Sequence, residues 1–79
     1  MIPLYGFMQG DSIGLLILAQ ATDTAVELTA KLQSAAAVRV APLARPVVMF
    51  EGKVMPAGAT VSSFNMGALD RFDLREELG

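Results

Sequence analysis

The chain has 79 residues, neither cysteine nor histidine, and a formal net charge of −2 from six basic and eight acidic side chains. That inventory excludes a disulfide, a Cys/His zinc site and a thiolate or imidazole catalyst, and the lack of any basic run with interleaved aromatics argues against nucleic acid as a partner. A chain this short buries only about 60% of its unfolded surface, yet 53% of its residues are apolar and only 18% charged, so either the core is densely packed or part of the surface is an interface.

Residues 2–8, Ile-Pro-Leu-Tyr-Gly-Phe-Met, read as a first strand. Gln9-Gly10-Asp11 reads as a turn and Ser12 to Leu18 as a second strand, which together make a β-hairpin. Thr24 suits a helix N-cap, and Glu27 three residues later completes a capping box, each side chain satisfying the other residue's backbone N–H. Asp23 adds negative charge at the positive end of the helix dipole. The helix is expected from Ala25 to about Ala36, with Ala25, Leu28, Leu32 and Ala35 or Ala36 on one face. Glu27 and Lys31 are placed for an i,i+4 ion pair on the solvent side. Three turns are marginal in isolation, so this helix must lie on the sheet.

Val38 to Pro46 is a connection broken by Pro42 and Pro46. Val47-Val48-Met49-Phe50 is a third strand, and Glu51-Gly52-Lys53 turns into a very short fourth strand near Val54-Met55. The segment from Thr60 to Met66 suggests a turn of helix or 3₁₀ ending near Gly67. Arg71 to Arg75 alternates cleanly as a last strand, and the tail from Glu76 to Gly79 is expected to be exposed or frayed. The order defines an α+β chain: one β-grasp, ubiquitin-like domain over 1–79, with a mixed sheet and one main helix.

The apolar stretch Ile13 to Ala19 is far shorter than the ~20 residues a bilayer span needs. Met1 leads into Ile-Pro-Leu-Tyr with no basic segment, which is not a secretory signal. No membrane association is expected, and the cytoplasm is the expected compartment. The carboxylates are scattered over turns, caps and strand ends. Asp70 with Asp73, or Glu76 with Glu77, offers at most a weak cation site, and solvated surface charge is the better reading. Gly6, Gly10 and Gly14 do not open a helix and form no phosphate loop.

A sheet covered on one side should alternate apolar and polar residues. The last strand does, with Phe72 and Leu74 against Arg71, Asp73 and Arg75. The hairpin does not: Ile13, Leu15 and Ile17 point one way, Leu16 and Leu18 the other. Ile2 and Leu4 likewise oppose Tyr5 and Phe7, and Val47 to Phe50 is apolar on both faces. One helix covers one face, so either some of these side chains pack under loops or at sheet edges, or the far face of the hairpin is a docking surface. Tyr5, Phe7, Leu16, Leu18 and Arg39 are the candidate partner-binding residues, Tyr and Arg being common interface anchors. No residue of this chain is assigned to catalysis, cofactor or metal.

Thr22 to Gln33 closely resembles the first helix segment of ubiquitin, and Val48 to Lys53, Thr60 to Met66, and Phe72 with Leu74 look like its later strands and turn. The ending Glu-Glu-Leu-Gly lacks the di-glycine that conjugation requires, so conjugation is not expected. Ile2-Pro3-Leu4, Asp23-Thr24, Arg39-Val40-Ala41-Pro42 and the stretch Gly67 to Leu74 resemble the small B, or gamma, subunit of bacterial multicomponent diiron monooxygenases of the toluene, alkene and isoprene type. That resemblance implies a non-catalytic accessory subunit. Its partners would be a large diiron-bearing alpha subunit and a beta subunit, with a ferredoxin, a reductase and a coupling protein in the wider system, and the diiron centre would belong to the large subunit. The alternative is a free-standing ubiquitin-like interaction domain, such as those associated with type VII secretion. A sulfur-carrier role is disfavoured by the missing di-glycine.

Overall fold

The computed structural model describes residues 1–77. They form β1 (Ile2–Met8), β2 (Gly14–Ala19), α1 (Ala25–Ala36), β3 (Pro46–Phe50), β4 (Lys53–Met55) and β5 (Arg71–Glu76). The strands make one five-stranded sheet in the order β2-β1-β5-β3-β4. β1 and β5 pair in parallel, and the other neighbours are antiparallel. With α1 packed across one face, this is the β-grasp arrangement the sequence indicated.

Strand alternation selects the inner face. Leu4, Gly6 and Met8 of β1, Ile17 and Ala19 of β2, Val48 and Phe50 of β3, and Phe72 and Leu74 of β5 are buried there. They meet Ala25, Leu28, Leu32 and Ala36 of α1. Gly6 is required by this contact. A Cβ on it would sit 2.9 Å from Phe72 Cζ and 3.0 Å from Leu32 Cδ1, so the missing side chain lets helix and aromatic ring close over β1.

The N-terminus of α1 is fastened from two sides. Thr24 Oγ1 accepts the Glu27 N–H at 3.3 Å, and Glu27 Oε1 accepts the Thr24 N–H at 2.9 Å, completing the capping box. The Ala25 N–H, free in an isolated helix, donates to Ala59 O at 3.0 Å. Glu27 is therefore committed to the cap, and Lys31 does not pair with it. Lys31 instead reaches Asp23 Oδ2 at 2.6 Å and Leu18 O at 3.0 Å. Asp23 is buried and also accepts the Gln20 N–H at 2.9 Å, so it ties the loop between β2 and α1 to the helix.

Other boundaries also differ from the sequence reading. β2 begins at Gly14, opposite Phe7, and not at Ser12. Asp11 Oδ1 accepts the Ile13 N–H at 3.4 Å and holds residues 11–13 in the turn, leaving Ile13 exposed and not beside Leu15 and Ile17. Glu76 belongs to β5 and not to a frayed tail. Its N–H donates to Gln9 Oε1 at 2.8 Å, and its carboxylate accepts the Ala44 N–H at 3.0 Å and the Arg45 N–H. The Glu77 N–H donates to Arg45 O at 2.8 Å, which extends this fastening; Leu78 and Gly79, the rest of that expected tail, lie outside the described residues. Thr60 to Met66 is a series of turns and not a helix. Thr60 and Ser63 exchange side-chain bonds with each other's N–H at 3.1 and 2.9 Å, local bonding that competes with helical pairing. Between β3 and β4, Glu51 and Gly52 have φ of 51° and 79°, the two positive values of the tight hairpin turn that matches strand twist.

Candidate docking surface

Register assembles the outer face of the sheet row by row. Across β2 and β1, Leu18 lies beside Pro3, Leu16 beside Tyr5 and Gly14 beside Phe7. Across β1 and β5, Tyr5 lies beside Arg71 and Phe7 beside Asp73. Beyond β5, Asp73 faces Met49 and Arg75 faces Val47. The result is an apolar hairpin half joined to a charged strand. Leu16 and Leu18 are 54% and 52% exposed, and Tyr5 is 41% exposed. No part of α1 covers them, because α1 lies on the opposite face.

Phe7 is set differently from the other hairpin residues. It is only half-buried, and the end of its ring fills the space a side chain at Gly14 would take, where a Cβ would lie 2.4 Å from Phe7 Cζ. The Arg71 guanidinium stacks 4.0 Å above the ring centroid. Arg71 Nε also donates to Asp73 Oδ1 at 2.9 Å, and Arg75 Nη2 lies 3.5 Å from Asp73 Oδ2. The Asp73 hydrogen bond raises the Arg71 pKa above its ordinary value. Phe7 is thus a platform for Arg71 and not a free apolar knob.

Arg39 lies apart from this face. It follows α1, and its guanidinium clamps Asp11 in the hairpin turn, with Nη2 to Oδ2 at 2.7 Å and Nε to Oδ2 at 3.2 Å. The Arg39 hydrogen bond holds the Asp11 carboxyl below its usual range. Val40 and Leu43 pack against the core beside it. The Arg-Val-Ala-Pro segment therefore fastens the end of the helix to the hairpin, and the structure does not bring Arg39 together with Tyr5, Phe7, Leu16 and Leu18.

Two sets of residues on or near the outer face were not grouped with the hairpin from the sequence. Arg71, Asp73 and Arg75 read as the polar side of the last strand, and only the parallel pairing of β5 with β1 brings them against the hairpin. Leu69 is 59% exposed at a φ of 66°, a left-handed conformation that costs a non-glycine residue roughly 1–2 kcal/mol. Its N–H donates to Pro3 O at 2.6 Å, which holds it at the end of β1.

Among the described residues no three His, Cys, Asp or Glu side chains are grouped to hold a metal ion. The sequence has no histidine, so the chain does not supply the paired Glu-x-x-His helices of a diiron carboxylate centre. No described helix is long and apolar enough to cross a membrane.

The fold defines the chain as a β-grasp module with one open sheet face. No protein-family model matches it, and no curated protein matches it. Among solved structures, a chain of the toluene 4-monooxygenase HD complex with the inhibitor 4-bromobenzoate is similar in fold, with a TM-score of 0.88 and 18% identity over 96% of this chain and 98% of that one. A chain from the structure of ATBAG1 in complex with HSP70 is similar at a TM-score of 0.79 and 14% identity, matching 98% of this chain but only 41% of that one.

Proposed function

We propose that this chain is a non-catalytic accessory subunit of a multicomponent diiron monooxygenase hydroxylase that oxidises aromatic or alkene hydrocarbons. It binds and stabilises the large diiron-bearing alpha subunit, in the cytoplasm and in company with the beta subunit. Ferredoxin, reductase and coupling protein complete the system. The observation that carries this reading is the end-to-end match to a chain of the toluene 4-monooxygenase complex, which covers 96% of one chain and 98% of the other. Size and topology agree together over that match.

The open outer face supports the same reading. Fully burying Tyr5, Leu16 and Leu18 against a permanent partner would contribute several kcal/mol, at about 1.5–3 per side chain. Co-expression with the products of its neighbouring genes, followed by mass measurement in solution, tests the assignment. The chain is expected to co-purify at a fixed ratio and to raise the thermal midpoint of the large subunit. A chain that stays monomeric while the large subunit is equally stable without it would sink the assignment and leave a free-standing interaction domain.

A further inference from the structure

We propose that the outer sheet face recognises a partner segment carrying an acidic side chain between apolar ones. The carboxylate sits on Arg71 and Arg75, and the apolar side chains lie on Tyr5, Leu16 and Leu18. The inference deepens the subunit reading and rests on it for the identity of the partner.

Charge selects the occupant. The chain as a whole carries −2, yet the charged residues that strand alternation puts on this face are Arg71, Asp73 and Arg75. One carboxylate is shared by two guanidiniums, so the face keeps one unit of positive charge. Two acids at its rim are turned to the backbone: Asp70 Oδ2 accepts the Gly67 N–H at 2.8 Å, and Glu76 accepts the Ala44 N–H at 3.0 Å and that of Arg45, while Glu51 stands exposed at the turn after β3, on the far side of Met49 from the hairpin. A basic partner would compete with two arginines for Asp73. A wholly apolar partner would bury both guanidiniums with half their charge unmet, which is costly. An acidic side chain completes the set.

Arg71 is also built for the task. A guanidinium has five N–H donors, and Asp73 engages only Nε, at 2.9 Å, and Nη2, at 3.4 Å. The stack on Phe7 at 4.0 Å fixes the plane of the fork, so little rotamer freedom remains to be lost on binding. The apolar hairpin lies on one side of Arg71, where an arriving partner would exclude water and strengthen the ion pair.

Two measurements on the full chain test this. Backbone amide shifts are followed while a short extended peptide alternating Leu and Glu is added, and again with its Leu/Gln counterpart. The Glu peptide is expected to shift amides in β1, β2 and β5 and to bind at least about tenfold more tightly, a difference of about 1.4 kcal/mol. Arg71→Glu is expected to abolish that preference while the amide spectrum remains that of the folded chain. In the assembled hydroxylase, Arg71→Glu is expected to weaken association at least tenfold, and Arg71→Lys to recover only part of it, because charge remains but the planar fork is lost. Equal binding of both peptides, shifts confined to α1 and the free edge of β2, binding to phosphatidylserine vesicles in place of the peptide, or an unaffected Arg71→Glu complex would overturn the proposal. If the wild-type chain assembles with no large subunit, the subunit reading fails, and the peptide titration still decides the chemistry of the face.

Discussion

The inner and outer faces of the sheet carry similar side chains in the hairpin and differ in what lies against them. On the inner face Leu4, Ile17 and Phe72 are enclosed beneath α1. On the outer face Leu16, Leu18 and Tyr5 stand in the same two strands, one residue out of phase, with half of their surface open. Gly6 and Gly14 make the contrast local. Gly6 admits Phe72 and Leu32 into a closed layer, whereas Gly14 admits the Phe7 ring onto an open one. A surface that is apolar but uncovered adds little to the isolated fold, which is why it is proposed to serve binding.

The largest expected effect is on the inner face. Phe72→Ala should cost about 3–5 kcal/mol in denaturant unfolding, enough to leave much of a small domain unfolded. A cost below about 1 kcal/mol would mean that the two faces are not energetically distinct. Gly6→Val comes next, at about 1–3 kcal/mol from overpacking against Phe72 and Leu32. Gly14→Ala, its outer counterpart, should displace the Phe7 ring and loosen Arg71, visible as a changed Phe7 ring environment by NMR, at a smaller cost in stability.

A third effect concerns the ion pairs that tie the layers together. At Asp23, burial pushes the carboxyl up, but the Lys31 hydrogen bond and charge and the Gln20 N–H outweigh it, and the net direction is down from the ordinary 3.8. Asp11 is also lowered, chiefly by the Arg39 hydrogen bond. A folded pKa below the unfolded one means stabilisation that is complete above the unfolded value and lost as pH falls through the folded one. The thermal midpoint should therefore be level through neutral pH and fall below about pH 4. Asp23→Asn should lower the midpoint at pH 7 and flatten the acid limb. An unchanged acid limb would remove Asp23 from the fastening.

Most of the fold was legible in the sequence because its signals are local. Thr24 and Glu27 announce the cap, and Phe72 and Leu74 announce the inner side of β5. Val47 to Phe50, apolar throughout, is resolved once neighbouring strands place Val48 and Phe50 inside. The open outer face was legible only where alternation reaches. Leu16 and Leu18 are out of phase with Leu15 and Ile17 in any strand. Arg39 was grouped with them by residue type, but its partner Asp11 is 28 positions earlier, and no local pattern links the end of α1 to the hairpin turn. The contact of Arg71 with the hairpin was missed for the same reason. Its stack on Phe7 exists only because β5 pairs in parallel with β1, a register set by the closed sheet.

The smallest expected effect on folding is the one that bears most on function. Leu16→Asp combined with Leu18→Asp replaces two half-exposed outer side chains on an edge strand. Their removal opens no cavity, and each new carboxylate remains in water, so the unfolding free energy should change by no more than about 0.5 kcal/mol per site. The added charge also makes the β2 edge a poorer template for stray strand pairing. In the proposed hydroxylase assembly the same pair of charges would be buried against the large subunit, where an unpaired carboxylate is costly, and co-purification should be lost. A double variant that folds and still assembles would show that the partner sits elsewhere. One that fails to fold would show that the outer face contributes to the core after all, and the distinction between the two faces would collapse.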